Sequence, residues 1–155
     1  MIKLATQSDV FNVDLWQEHF GKLDSQKLST MFRLVSPIVS DAELQKGRKK
    51  NRTGNFVRHH IIPRSFAVVE EGKEYNEVYL SYEEHWLVHK MMSEDMFTDD
   101  WHFKMVCAFL RMNGAECLSP EAYADVAKEY SRLRSERLKG NTLRRGKNIY
   151  DETRE

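Results

Sequence analysis

Apolar residues recur at three- and four-residue steps through the first third of the chain: Phe11, Leu15, Trp16 and Phe20, then Leu28, Met31, Phe32 and Val35. That is the period of helices that bury one face. The aromatics among them read as core, and Ser36-Pro37 predicts the end of the second helix. Residues 44–55, LQKGRKKNRTGN, carry two glycines and no apolar period, so they read as a flexible approach to the next element. From Phe56 the pattern shortens. Phe56-Val57 and Ile61-Ile62 flank Arg58-His59-His60 in a strand-like run stopped by Pro63. A loop over 65–76 leads to a second short run, Val78-Tyr79-Leu80. Ser81 and Glu84 then form an S-x-x-E capping box, which opens a helix carrying His85 and His89.

Beyond residue 93 the pattern is helical again. Trp101 to Met112 is strongly apolar and predicts a buried helix. Ser119-Pro120 opens another, with Ser as cap and Pro in the first turn. Tyr123, Val126, Ala127, Tyr130, Leu133 and Leu138 form its apolar face, and Gly140 suits its end. No internal repeat interrupts this order. The expected architecture is α+β, a strand–loop–strand–helix unit framed by N- and C-terminal helices. It divides into an N-terminal helical region (1–45), the unit with its basic approach (46–98), a helical region packing on it (99–138) and a basic arm (139–155).

Composition narrows the class. With 155 residues, 41% hydrophobic and 31% charged, the chain has the make-up of one soluble globular domain. The longest apolar run near the middle, Met105 to Leu110, is far shorter than a membrane span, and the amino terminus lacks the apolar core of a signal peptide. Cys107 and Cys117 are the only cysteines, too few for a disulfide framework or a Cys-rich zinc site. A reducing, cytoplasmic setting without a membrane partner is expected.

A net charge of zero conceals blocks of opposite sign. Residues 46–69 hold seven basic groups and no acidic one, residues 70–101 hold ten acidic groups against Lys73 and Lys90, and residues 128–148 hold eight basic groups against Glu129 and Glu136. Two such basic blocks suit a polyanionic partner, although charge alone does not separate that from a solvated surface.

Six histidines occur, and four of them, His59, His60, His85 and His89, fall within the strand–loop–strand–helix unit. His85 and His89 stand four apart on a helix, so their rings leave the same face and can share one metal ion. A third ligand must come from elsewhere, and the packed strand bearing His59 and His60 is the natural source. Adjacent strand residues point to opposite sides, so one of this pair suits coordination and the other the substrate. A free imidazole takes a proton from water near neutral pH, while a metal polarises a phosphate. His19 and His102 have no partners in sequence and read as surface or packing residues.

HHIIPRS at 59–65, Asn76 and LSYEEHWLVHKMM at 80–92 resemble the His-Asn-His (HNH) endonucleases and their ββα-metal fold. The three-histidine ligand set is similar to that of the colicin-type DNases, and the surrounding stretch resembles small phage and homing endonucleases. The resemblance implies His59, His85 and His89 as metal ligands and His60 as general base. It gives Asn76 the role of tying the loop across the hairpin. Arg64 falls where a cation would touch a phosphate. Residues 131–148, SRLRSERLKGNTLRRGKN, resemble the region after the catalytic motif in phage HNH enzymes, which leads into a modular DNA-binding repeat.

Together these features predict a metal-dependent hydrolase of DNA phosphodiesters, with the resemblance supplying the polarity of cleavage: 5′-phosphate and 3′-hydroxyl ends. One divalent ion (Mg, Mn, Zn or Ni) is implied, imidazole ligands favouring zinc or nickel in affinity and abundance favouring magnesium. The expected DNA contacts are Lys49, Lys50, Arg52, Arg58 and Arg64 beside the motif and Lys139, Arg144, Arg145 and Lys147 in the arm. If phage-encoded, the protein acts in the host cytoplasm. Two alternatives use the same residues: a non-catalytic nucleic-acid-binding module in which a metal, with His60 as fourth ligand, only holds the fold, and a ribonuclease.

Overall fold

The computed structural model describes residues 1–113 and 119–140. Strand β1 (Ile2–Lys3) is followed by α1 (Val13–Phe20), α2 (Ser25–Ser40) and α3 (Ala42–Lys50). Then come β2 (Phe56–His60), β3 (Val69–Glu71), β4 (Glu77–Ser81), α4 (Tyr82–Ser93), α5 (Asp99–Asn113) and α6 (Pro120–Gly140). The chain is α+β, mostly helical, with two small two-stranded sheets among the described residues. No described helix is long and apolar enough to cross a membrane.

β2 and β4 pair antiparallel in a register that sets His59 opposite Val78 and His60 opposite Glu77. A lone hairpin is marginal in water, and this one is backed by an apolar layer. Trp16 and Phe20 of α1, with Leu28, Met31 and Val35 of α2, share a buried cluster with Ile61, Ile62, Val78, Leu80, Val88 and Met92. Asn12 and Asp24 cap the two helices by accepting hydrogen bonds from the backbone N–H groups of their first turns. The expected helices of the first third are therefore present, and they form the wall behind the hairpin.

Pro37 does not end α2. The helix continues to Ser40 with Pro37 inside it. Proline removes one N–H and frees the carbonyl four residues back. Pro37 and Arg33 both lie on the exposed side, while Val35 and Val39 anchor the opposite face.

The basic approach is not flexible loop over its whole length either. Residues 42–50 form α3, capped by Asp41, whose side chain accepts from Leu44 N–H at 3.0 Å. This helix buries no residue, so it leaves no apolar period to read. Polar contacts dock it instead. Gln45 Oε1 accepts from Tyr79 N–H at 2.7 Å, and its Nε2 donates to Tyr79 O at 3.1 Å. One side chain thereby bonds both backbone groups that Tyr79 presents at the outer edge of β4. Arg48 adds a donor to Tyr79 O at 3.0 Å and an ion pair with Glu84 at 2.6 Å.

The connection between the hairpin strands also holds structure that apolar patterning does not announce. β3 pairs in parallel with β1, stitching the amino terminus to this segment. Gly72 follows, in left-handed backbone conformation (φ 72°), where an added Cβ would lie 2.0 Å from Leu4 O. A 3₁₀ turn over Lys73–Asn76 then delivers Asn76 to the start of β4.

The capping box at the start of α4 is formed as expected. Ser81 Oγ accepts from Glu84 N–H at 3.1 Å, and Glu84 Oε1 accepts from Ser81 N–H at 2.8 Å. α5 differs from expectation: only Met105, Phe109 and Asn113 are buried, while Phe103 (68% exposed) and Leu110 (49%) face outward. α6 starts where Ser119-Pro120 indicates, with Ser119 Oγ accepting from Ala122 N–H at 3.1 Å. Its buried Tyr123 and Ala124 pack with Tyr82, Trp86 and Phe109.

Candidate metal centre

β2 and α4 bring His59, His85 and His89 together, with one nitrogen from each lying within 4.8 Å of the others. These three histidines lie close enough to hold a metal ion. Their ring centroids are 5.4 Å (His59–His85), 5.2 Å (His59–His89) and 4.5 Å (His85–His89) apart. The helical i, i+4 spacing supplies two ligands on one face, and the hairpin register turns His59 towards them.

The chemistry of the cluster suits a cation. His59 Nε2 and His89 Nδ1 are buried with no hydrogen-bond partner. Unpaired buried polar atoms are costly, and a metal bond resolves the cost. Burial pushes the imidazoles down in pKa, to about 3 for His85 and about 4 for His89. His59 is held well below its ordinary value by burial and by the neighbouring histidines. The rings are therefore neutral at neutral pH, the form that coordinates metals. Three protein ligands leave a further coordination position open, as in catalytic sites rather than closed structural ones.

His85 has a partner that the sequence pattern does not reveal. Its Nδ1 lies 3.1 Å from Tyr123 Oη, on α6. Tyr123 reads in sequence as one more apolar position of an amphipathic helix, and nothing local marks its hydroxyl as aimed at a histidine 38 residues away. With Nδ1 so engaged, His85 Nε2 is left for coordination.

His60 takes the opposite side of the strand, as alternation requires. It is partly exposed, and its Nε2 lies 3.9 Å from Glu77 Oε1, its partner across the hairpin. Burial lowers its pKa, Glu77 raises it, and Arg58 and Arg64 lower it, leaving the net shift downward. At neutral pH the ring is thus poised as an acceptor, beside a carboxylate that steadies the imidazolium once a proton arrives. Sequence reasoning missed Glu77. Only the pairing register, which sets it opposite His60, identifies it.

Asn76 is buried between the strands. Its Oδ1 accepts from Ile62 N–H at 2.7 Å, its Nδ2 donates to Ile62 O at 2.9 Å, and its own carbonyl accepts from Ile61 N–H at 2.9 Å. The side chain extends the ladder one step beyond β2 and fixes the segment that follows His60.

The expected nucleic-acid contacts separate into groups. Arg58 and Arg64 line the cavity that holds the three clustered histidines and His60. Lys49, Lys50 and Arg52 are exposed on and after α3 and line neither cavity beside His60. Lys139 belongs to the last turn of α6, and Arg144, Arg145 and Lys147 lie outside the described residues. His19 stands apart from the cluster, its Nδ1–H donating to Leu15 O at 3.0 Å, and His102 lies on α5.

No protein-family model matches the chain, and no curated protein or solved structure matches it with significance.

Proposed function

We propose that the chain is a metal-dependent endonuclease of the His-Asn-His type, which hydrolyses DNA phosphodiesters to 5′-phosphate and 3′-hydroxyl ends. One observation carries this reading. Three neutral imidazoles, His59 buried and His85 and His89 partly buried, converge from β2 and α4, while the adjacent His60 opens to a cavity flanked by Arg58 and Arg64.

In this reading His59, His85 and His89 would hold one divalent ion. Bound there, the ion supplies Lewis-acid stabilisation of negative charge on the phosphate and the departing 3′ oxygen. Arg58 and Arg64 bind and orient the phosphodiester through charge-assisted hydrogen bonds. The imidazole of His60 accepts a proton as a water oxygen attacks phosphorus and the bond to the 3′ oxygen breaks, the departing oxygen taking a proton from solvent water to become the 3′-hydroxyl. Glu77 stabilises the resulting imidazolium, and Asn76 keeps the chain after His60 in place through its two bonds to Ile62.

A closed site with His60 as fourth ligand would favour the binding-module alternative. Its position across the strand from His59, beside Glu77, disfavours that role. Incubation of the purified protein with supercoiled plasmid and with structured RNA, each with and without chelator, tests the proposal. Chelator-sensitive nicking of the plasmid is expected. Cleavage of RNA alone would replace the substrate class, and an intact plasmid under all metals would overturn the reading.

A further inference from the structure

Two cavities meet at His60, and the roles assigned above use only one of them. The first, about 190 Å³, contains the faces of His59, His85 and His89. The second is larger, about 470 Å³, and shares Arg58, His60, Pro63 and Arg64 with the first. Its remaining wall comes from the connection between the hairpin strands. Val68 and Val69 supply apolar surface, and Lys73 stands on the 3₁₀ turn before Asn76.

The charges around this second cavity are unbalanced. Arg58, Arg64 and Lys73 face one carboxylate, Glu77. Glu77 lies within 3.9 Å of both Arg58 and His60, whereas among the described residues neither Arg64 nor Lys73 joins an ion pair. An apolar wall with two unpaired cations suits a ligand that is part ring and part anion. The volume is in the range of small-molecule sites and is ample for a single nucleotide.

Resting on the nuclease reading, we propose that this second cavity is a nucleotide subsite. It takes the nucleotide that flanks the scissile phosphate, with its sugar against Val68 and Val69 and its outer phosphate held by Lys73 and Arg64. The strand would then run from the histidine cluster across His60 into this cavity. The shared wall of Arg58, His60, Pro63 and Arg64 makes the two sites one continuous track. Lys73, in the acidic block at 70–101, thereby gains a role that the basic blocks of the sequence do not suggest.

The test uses thymidine 3′,5′-bisphosphate as probe, titrated calorimetrically into the full chain in chelator at low salt. One bisphosphate should bind per chain, and thymidine alone should bind far more weakly. Lys73→Ala should weaken the bisphosphate about tenfold, the worth of one charge-assisted contact. Ala67→Glu places a carboxylate in the same cavity from an exposed position and should abolish binding. Both substitutions are at exposed residues that line the second cavity and not the first, so neither folding nor the histidine cluster is at risk. The same variants should raise KM for a short oligonucleotide more than they lower kcat. Plasmid cleavage that persists while both variants leave bisphosphate affinity and KM unchanged would overturn the subsite and keep the nuclease. Lys73-dependent bisphosphate binding by a protein that cleaves nothing would keep the subsite and overturn the nuclease.

Discussion

Tyr123 Oη and His85 Nδ1 lie 3.1 Å apart, joining the last described helix to the histidine cluster. For His85 to coordinate through Nε2, its Nδ1 must carry the proton and donate to the tyrosine oxygen. Coordination thus sets the tautomer, and the contact with the hydroxyl sets the orientation of the ring. Tyr123→Phe deletes only that oxygen from a buried ring. Metal affinity should fall about 10- to 100-fold, the usual cost of losing such a partner, while the melting temperature of the metal-free protein changes little. A competition titration against a chromophoric chelator reads this directly, and an unchanged affinity would show that the contact does not orient His85.

Asn76 offers a second point of leverage. Asn76→Ala leaves both the N–H and the C=O of fully buried Ile62 without partners. Each unpaired group costs about 1–3 kcal/mol. Urea denaturation should show that loss, and cleavage should fall by more than stability alone explains because the segment after His60 is released. Asn76→Asp should be nearly as harmful, since it sets a carboxylate oxygen against Ile62 O. Wild-type stability in either variant would contradict the bridging role.

Gly72 tests how the amino terminus is fastened to the hairpin connection. An alanine there would put Cβ 2.0 Å from Leu4 O, at a φ of 72° that side chains disfavour. Gly72→Ala should destabilise by at least about 1 kcal/mol, lowering the melting temperature by about 2–4 °C. Hydrogen exchange should quicken at Ile2 and Leu4, whose N–H groups donate to Val68 O and Glu71 O. Protection unchanged at both would mean that the parallel pairing bears no load.

Acid should unfold the metal-free protein in a definite window. His85 and His89 titrate at about 3 and about 4 in the folded chain, and His59 is also held well below its ordinary value. In the unfolded chain all three take up protons near pH 6.5. Between those limits the unfolded state holds more protons, so stability falls as the pH falls and is complete above about pH 7. Each histidine adds a slope of up to about 1.4 kcal/mol per pH unit. Removing one of them with His85→Ala should flatten the profile by about one proton. Urea titrations in chelator at pH 7, 6 and 5 measure it, and equal slopes for both proteins would refute the burial of His85 as a neutral ligand.

Much of this arrangement is legible in the sequence because it rests on local rules. The helical faces of Trp16–Phe20 and Leu28–Val35, the Ser81–Glu84 box and the i, i+4 spacing of His85 and His89 each follow from a single periodicity or cap. Alternation along one strand separates His59 from His60 for the same reason. What escapes is held by polar contacts across long sequence separations. α3 buries nothing, and its docking through Gln45 and Arg48 to Tyr79 and Glu84 has no apolar signature. β1 and β3 are too short to show a pattern, and their pairing is fixed by Gly72 and Leu4 rather than by hydrophobic alternation. Tyr123 and Glu77 belong to the site only through tertiary geometry. Pro37 misleads in the other direction, since the buried face of Val35 and Val39 carries α2 past a proline that stands on its exposed side.

The division of labour between the clustered histidines and His60 is tested most directly by plasmid cleavage with the His60→Ala protein at known metal content. The variant should retain one ion per chain, as the wild type should, because His59, His85 and His89 are untouched. Its cleavage rate should fall about 10²- to 10⁴-fold, the contribution of a positioned general base. Near-wild-type cleavage by a fully loaded His60→Ala protein would contradict the assignment. Loss of the ion would contradict it equally, by making His60 a ligand.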